Sequence, residues 1–188
     1  SAVAINLVKT QIYINFRLTI LIMDVKQALR KLEESNEFKN WRKKHKNTYF
    51  SYAFRIQEEI PDEWQLGFYD NSKDKITTFV ISNSKISIRP EEEIFKKEDT
   101  KITEIQLSKV RLTFGNAAEK ANEFQQKNFP KDRSIKTIAI LQNISNLGNI
   151  WNITYVTEAF NTLNMKIDAS SGRVLEHNLS SVLSFRKE

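Results

Sequence analysis

The side chains that most often carry catalysis are scarce in this sequence. The chain has no cysteine, and its two histidines, His45 and His177, lie far apart and outside any recognisable nucleophile pattern. The HExxH, phosphate-loop, GxSxG and dinucleotide-binding signatures are absent as well. Without cysteine, the chain also has neither a disulfide framework nor a thiolate zinc site. We therefore predict a protein that is not an enzyme, with no catalytic residue and no cofactor.

Two acidic stretches have the residue types of a cation site. Asp70, Asn71 and Asp74 lie within YDNSKDK, but the later ligand positions of an EF-hand are not filled by suitable residues. Asp and Asn are also common in tight turns, so this stretch predicts a hairpin turn. The run from Glu91 to Glu93 predicts a solvated helix start, where acidic side chains suit the helix dipole. We predict no metal site.

A basic segment interleaved with aromatic residues offers the chemistry of nucleic-acid binding. In KNWRKKHKNTYFSYAF, cations could neutralise phosphates and exposed rings could stack on bases. The alternative is that the rings belong to the core and the cations form a solvated helix end, which the alternation of Phe50, Tyr52 and Phe54 favours. The candidate contact residues for nucleic acid or another partner are Lys39, Trp41, Arg42, Lys43, Lys44 and Lys46.

The elements that would position these residues belong to a globular chain. The sequence has 188 residues, 40% hydrophobic and 11% aromatic, with a net charge of +6 that solubility explains as well as an anionic partner does. Near its start, QIYINFRLTILIM alternates an apolar set with a mostly polar one, which predicts a strand. A membrane or export segment is the alternative, and residues 1–22 could also precede a natural start at Met23. We expect no integral membrane span and a cytoplasmic location, with an envelope-associated or extracytoplasmic one as the alternative.

An internal repeat is the strongest organisational signal. The stretch from Trp64 and the stretch from Trp151 match at the same spacing: Trp-x-Leu-x-Phe against Trp-x-Ile-x-Tyr, followed in each case by a second alternating apolar run. Both halves therefore predict three short antiparallel strands joined by polar turns. A further strand is predicted upstream in each half, from the alternation of Phe50, Tyr52, Phe54 and Ile56 in the first and of Ile138 and Ile140 in the second.

A helix precedes the strands in each half. Asp24 is a plausible N-cap for a helix that buries an apolar stripe at helical spacing, consisting of Val25, Ala28, Leu29 and Leu32. Thr113 is the corresponding cap in the second half, and it predicts burial of Ala117, Ala118, Ala121 and Phe124. A strand is also predicted before each helix, from the opening stretch in one half and from EIQLSKVRLTF in the other.

The second half resembles the PepSY domain family. Its ending, MKIDASSGRVLEH, places Asp168 and Gly172 in a turn like the closing hairpin of that family, after a Trp-x-Ile-x-Tyr strand and the alanine-rich helical segment LTFGNAAEKANEF. The resemblance covers residues 110–178, and residues 24–90 follow the same layout more loosely. It implies a cystatin-like fold and a role in binding or inhibiting a partner rather than in chemistry.

The predicted fold is α+β, with two tandem cystatin-like or PepSY-like units that each pack a helix on a four-stranded meander. The units are residues 24–95 and 110–188, with a strand or non-native extension at 1–23 and a connector with a strand at 96–109. The repeat markers are Trp64, Trp151, Asp168 and Gly172. We expect a non-catalytic protein- or peptide-binding module that uses its sheet edges and hairpin loops, with protease inhibition or regulation as the role that the PepSY resemblance implies. The alternatives are a nucleic-acid-binding protein that uses Lys39–Lys46, and a ligand carrier or enzyme with a pocket between helix and sheet.

Overall fold

The protein is an α+β structure in which strands dominate. A computed structural model describes residues 23–57, 63–93 and 101–182, so the opening stretch of the sequence lies outside the described residues. The helices in this part of the chain are α1 (Val25–Glu34), α2 (Asn36–Lys44) and α3 (Phe114–Asn128), with a 3-10 turn at Leu107–Lys109. The strands are β1 (Thr48–Gln57), β2 (Trp64–Asp70), β3 (Lys75–Ile81), β4 (Ile86–Ile88), β5 (Glu92–Glu93), β6 (Ser134–Ile144), β7 (Gly148–Thr157), β8 (Asn161–Asp168) and β9 (Val174–Ser181).

Both predicted helix starts are confirmed. The Asp24 carboxylate accepts hydrogen bonds from the backbone N–H groups of Lys26 and Gln27, and the Gln27 side chain accepts one from the Asp24 N–H in return, which completes a capping box. Thr113 caps α3 through its side chain. The predicted stripe of α1 is buried in full. On α3, Ala117 and Ala121 are buried, whereas Ala118 and Phe124 are only partly buried.

The strands form one antiparallel sheet of nine strands with the order β4-β3-β2-β1-β6-β7-β8-β9, and β5 also pairs with β3. Its centre is the antiparallel pair of β1 and β6, in which Tyr52 lies opposite Gln142 and Gln57 opposite Thr137. The first meander runs outward from β1 and the second runs outward from β6. We call the β1–β6 junction the seam. It places residues about 85 positions apart in the sequence side by side, which no local pattern specifies.

The predicted core face of β1 is correct at Phe50 and wrong at Tyr52 and Phe54. A bulge between Phe50 and Tyr52 shifts the alternation, so that Phe50 and Ala53 lie in the core and Arg55 is also buried. Tyr52, Phe54 and Ile56 are half-buried outside that cluster. On β6 the buried residues are Ala139 and Leu141, while Ile138 and Ile140 are half-buried. On β1 the bulge moves the core from one alternating set to the other. On β6 both alternating sets contain apolar residues, so alternation alone could not distinguish its faces.

Two further element predictions are wrong. The segment EIQLSKVRLTF, predicted as a strand, contains the 3-10 turn and irregular backbone and leads to the α3 N-cap. Its chain is held by other means: the N–H groups of Arg111 and Leu112 both donate to the Ala169 carbonyl. The acidic run also fails to start a helix, because Glu92 and Glu93 form the short strand β5 against Ile76 and Lys75.

One contiguous core joins the helices to a single face of the sheet. It includes Trp64, Phe79, Trp151 and Met165, all fully buried, and it extends across the seam. Helix α1 contacts β2 and β3, and α3 contacts β7, β8 and β9. In the described ranges, no helix is long and apolar enough to cross a membrane. The predicted domain boundaries remain a prediction.

Candidate functional site

Trp41, the aromatic residue among the candidate contact residues of the basic segment, lies in the core. Trp41 is 9% exposed, and its ring packs edge-on against Phe68 and Phe79 at centroid distances of 5.5 and 5.1 Å. Its ring is therefore not exposed to stack on a nucleic-acid base. The sequence predicted a helix end followed by a strand here, as the end of α2 and the start of β1 confirm, but it did not decide where the ring of Trp41 lies.

The cations of the same segment divide into held and exposed side chains. Arg42 donates from one guanidinium nitrogen to the Thr48 carbonyl and hydroxyl at 2.8 and 2.5 Å, and Lys39 donates to the Glu34 carbonyl at 2.8 Å. Lys43 contacts Asn40 at 3.4 Å. The remaining two cations, Lys44 and Lys46, are exposed. Nucleic-acid binding by this segment stays a prediction. It would depend on the charge of the exposed lysines and not on stacking by Trp41.

The two histidines lie in different surroundings. His45 is the C-cap of α2, where its ring stacks on Trp41 with centroids 4.6 Å apart, and Nδ1 lies 2.8 Å from the Trp41 carbonyl. Its Nε2 lies 3.3 Å from the Glu91 carboxylate. His177, on β9, contacts the rings of Phe124 and Phe129. These contacts give each histidine a structural role. His45 joins α2 to the residue before β5, and His177 joins β9 to the C-terminal end of α3.

The two repeat-marker tryptophans occupy matching positions. Trp64 Nε1 donates to the Met23 carbonyl at 2.8 Å, and Trp151 Nε1 donates to the Leu112 carbonyl at 3.1 Å. Each acceptor precedes a helix N-cap, Asp24 or Thr113. Both indoles are fully buried, so they fasten helices to the sheet and do not line an open groove.

The Asp168 turn is held by hydrogen bonds to one carboxylate oxygen. That oxygen accepts from the Ser171 N–H at 2.6 Å, the Ser171 hydroxyl at 2.8 Å and the Ser170 N–H at 3.0 Å. Partial burial opposes ionisation, but these hydrogen bonds outweigh it and lower the pKa of Asp168 below its ordinary value. Gly172 completes the turn at φ 77°, and a Cβ there would lie 3.1 Å from the Leu112 side chain.

The stretch YDNSKDK forms the β2–β3 hairpin turn, as the sequence predicts. Asp70 accepts from the hydroxyl and the N–H of Ser72 at 2.6 and 3.0 Å. The Ser72 hydroxyl is the main cause that lowers the pKa of Asp70. Asp74 has a positive φ of 54° directly before β3. No group of three or more His, Cys, Asp or Glu side chains suited to a metal ion occurs among the residues that the structure describes.

The two edges of the sheet differ in how they are protected. On one side, β4 has three residues and β5 has two, with Pro90 between them and three consecutive glutamates following. Short strands, proline and charge are the usual means of preventing an edge from pairing. On the other side, β9 runs for eight residues, and within the described part of the chain it has a strand neighbour on one side only. Among the described strands, β9 is therefore the edge strand that is long enough to accept an added strand.

Large apolar side chains are exposed near this open edge. Phe160, in the β7–β8 turn, is 66% exposed, and its carbonyl accepts from the Val182 N–H at 2.9 Å. Val182 and Leu179 are 39% and 37% exposed. We call Phe160, Leu179 and Val182 the apolar corner. Phe160 also has a positive φ of 55°, which is rare for a bulky residue.

A wide groove lined by both polar and apolar residues lies between α3 and the seam, with a volume of about 1360 Å³. Its floor is formed by Gln57, Thr137 and Tyr155, its wall by Asn122 and Gln126 of α3, and its end by Arg133, and we call it the seam groove. It is open to solvent along its length rather than enclosed. A pocket between helix and sheet is one of the alternatives that the sequence analysis predicts. Its lining residues could not be predicted, because they come together only when β1 pairs with β6.

The comparisons with known proteins establish the fold alone. No protein-family model matches the chain, and no curated protein sequence is significantly similar to it. The crystal structure of a candidate lipoprotein from Clostridium difficile 630 is similar, with a TM-score of 0.51 at 12% sequence identity. The match covers 77% of this chain and 91% of that one. This similarity supports an α+β architecture, and the PepSY resemblance remains a proposal.

Proposed function

We propose that the protein is a non-catalytic module that binds an extended segment of a partner protein by adding it as a strand to the β9 edge. The observation that carries this proposal is the contrast between the two edges, one shortened and charged, the other eight residues long and open. Backbone hydrogen bonds of an added strand give affinity, and side-chain contacts beside the edge give selectivity. A regulatory or inhibitory role, as the PepSY resemblance implies, would act through such capture.

The apolar corner supplies the selectivity. Phe160, Leu179 and Val182 lie around the end of β9, and the Phe160–Val182 backbone hydrogen bond fixes two of them side by side. A partner strand that continues past Ser181 would bring its own apolar residues onto these side chains. Exposed apolar groups beside the edge of a sheet are typical of an interaction surface. The expected partner segment is therefore extended and apolar at alternate positions.

The duplication is part of the same proposal. We propose that the two meanders are cystatin-like or PepSY-like units joined at the seam, supported by the matching bonds of Trp64 and Trp151 to the carbonyls before the two N-caps. The positive φ values of Asp74 and Phe160, each directly before its third strand, support it too. Joining two units through β1 and β6 removes both inner edges. It leaves β9 as the outer edge on which a partner can be added.

The experiment uses Phe160→Asn, because asparagine tolerates a positive φ better than phenylalanine and the variant should not lose stability. Peptides of twelve random residues displayed on phage are selected on the wild-type protein, and their affinities are then measured for both proteins. The expected result is alternating apolar peptides that bind the variant about tenfold more weakly. Amide hydrogen exchange should slow in β9 when the peptide binds.

The matched control is Ile88→Asn, which removes an exposed apolar side chain (44% exposed) from the shortened edge. It should leave the affinity unchanged. Selection of no peptide, equal weakening by both substitutions, or protection confined to β4 and β5 would each contradict strand addition at β9.

A further inference from the structure

The floor of the seam groove is a row of polar residues across three strands. Gln57 lies opposite Thr137 in the β1–β6 register, and Thr137 lies opposite Tyr155 in the β6–β7 register. One step further along the same face, the corresponding row is Arg55, Ala139 and Ile153, all buried. On the helix-facing side of the sheet, the buried core therefore ends at the row of Arg55, Ala139 and Ile153, and the next row presents hydrogen-bonding side chains.

The wall of the groove continues this polar character. Asn122 and Gln126 are one turn apart on α3, both exposed, and they lie on the same side as Ala118, which keeps the wall shallow there. Above the floor, the Tyr155 hydroxyl lies 3.4 Å from the Ala118 carbonyl. Burial raises the pKa of Tyr155 to about 12, so its hydroxyl stays protonated at neutral pH. Amides and hydroxyls of this kind can donate to and accept from a peptide backbone.

Among the lining residues that the structure describes, the charged side chains have one sign. The chain contains 23 Asp and Glu residues, yet the charged residues among the described lining are two cations, Arg133 and Lys136. Arg133 is exposed at the end of the groove, where a guanidinium can hold a carboxylate through two parallel hydrogen bonds. The volume of about 1360 Å³ exceeds the roughly 300–1,000 Å³ of small-molecule pockets. Size and openness favour a segment of polymer over a single metabolite.

We propose that the seam groove is a second binding site, which takes an extended acidic peptide segment. Arg133 binds a carboxylate of the segment, and Gln57, Asn122 and Gln126 bind its backbone amides. The site lies on the helix-bearing side of the seam and uses none of the apolar corner, so it is independent of strand addition at β9.

The test is fluorescence anisotropy with three labelled ten-residue peptides that alternate Ser with Glu, with Gln or with Lys. The wild-type protein is expected to bind the Ser–Glu peptide alone. Arg133→Glu should weaken this binding at least about tenfold. Asn122→Trp fills the groove from an exposed helix position without changing the charge, and it should weaken binding as strongly.

Arg111→Glu is the matched control, since Arg111 is exposed, lies outside the groove lining and undergoes the same change of charge. It should bind like the wild type. Equal losses in Arg111→Glu and Arg133→Glu would show unspecific attraction to a basic protein and overturn the proposal. Binding of all three peptides, or of none, would overturn it too. Displacement by millimolar inorganic phosphate as effective as by unlabelled peptide would assign the groove to small anions instead.

Discussion

The indole rings of Trp64 and Trp151 meet across the seam, with centroids 6.2 Å apart and an angle of 47° between their planes. Two strands separate them, and on these strands Ala53 and Ala139 are fully buried, small side chains that leave room for the rings to approach. Each ring fastens the start of a helix while packing against the other. The contact is thus where the two halves of the chain are joined into one core.

Replacing either tryptophan by phenylalanine should cost similar free energies of unfolding. Each change removes the indole N–H bond to the Met23 or Leu112 carbonyl and part of the buried ring, for about 1–3 kcal/mol. Urea denaturation of Trp64→Phe, Trp151→Phe and the double variant measures both values and their coupling. Because the rings are in contact, the double variant should depart from additivity by about 0.5 kcal/mol or more. Strict additivity, or a cost in one variant only, would argue against equivalent roles.

Gly67 makes room for the ring of Tyr52 on the helix-free side of the sheet. A Cβ at position 67 would lie 2.0 Å from Tyr52 Cε1, so Gly67→Ala must displace the ring and break the 2.7 Å hydrogen bond between the Tyr52 and Thr78 hydroxyls. We expect a loss of about 1–3 kcal/mol in thermal or urea denaturation.

A second substitution tests the cause of that loss. In a Tyr52→Ala background the ring is gone, so adding Gly67→Ala should cost little and could even stabilise the strand. The same cost in both backgrounds would mean that the ring is not what position 67 accommodates. The Tyr52 hydroxyl itself should titrate above its ordinary value, because burial raises its pKa.

The sequence predicted the local elements well. Helical spacing and capping residues located α1 and α3 at Asp24 and Thr113, and the repeat located the strands that follow Trp64 and Trp151. These signals are local, because a capping residue, an apolar stripe and an alternating pattern each involve only neighbouring positions in the sequence. On β1, the bulge at Phe50 and Tyr52 decided which residues face the core, and composition does not reveal a bulge.

The candidate sites could not be predicted in the same way. Gln57, Thr137 and Tyr155 are unremarkable in the sequence, and they form a row only because Gln57 pairs with Thr137, 80 positions away, beside the local pairing of Thr137 with Tyr155. The open edge depends likewise on which strand ends the sheet. The basic segment around Trp41 was visible in the sequence, but whether its ring is exposed is settled by packing against Phe68 and Phe79.

The Asp168 carboxylate should stabilise the fold in a pH-dependent way. Its pKa is lowered from 3.8 by the Ser171 and Ser170 hydrogen bonds, so the ionised form contributes stability above that value and loses it as the pH falls through the lower folded pKa. Asp168→Asn should therefore be less stable than the wild type at pH 7, and the gap should narrow as the pH falls below about 3.8 and close only below the folded pKa. Urea denaturation at pH 7, 5 and 3 measures the gap. A gap that is constant over this range would exclude the charge as its cause.

Alanine substitutions at three glycines distinguish the cost of backbone strain from the cost of a steric clash. Gly148 and Gly172 have nearly equal φ values of 76° and 77°, but a Cβ at 148 would meet nothing within 4 Å, whereas one at 172 would press on Leu112 and Lys120. Gly148→Ala should cost about 1–2 kcal/mol for the left-handed backbone, and Gly172→Ala should cost more. Gly115→Ala, inside α3 with a nearest contact of 3.8 Å, should stabilise by up to about 1 kcal/mol. Equal costs at 148 and 172 would show that the turn does not pack against α3.

The basic segment makes a prediction about single-stranded DNA. With Trp41 buried and Arg42 bound to Thr48, the exposed lysines are left to attract phosphates by charge alone. We expect Lys43→Glu/Lys44→Glu to lower the salt concentration that elutes the protein from a DNA column by as much as Lys101→Glu/Lys109→Glu, a pair of exposed lysines elsewhere. Both double variants change the net charge of +6 by the same amount. A much larger shift for the Lys43 and Lys44 pair would instead identify this helix end as a dedicated nucleic-acid interface.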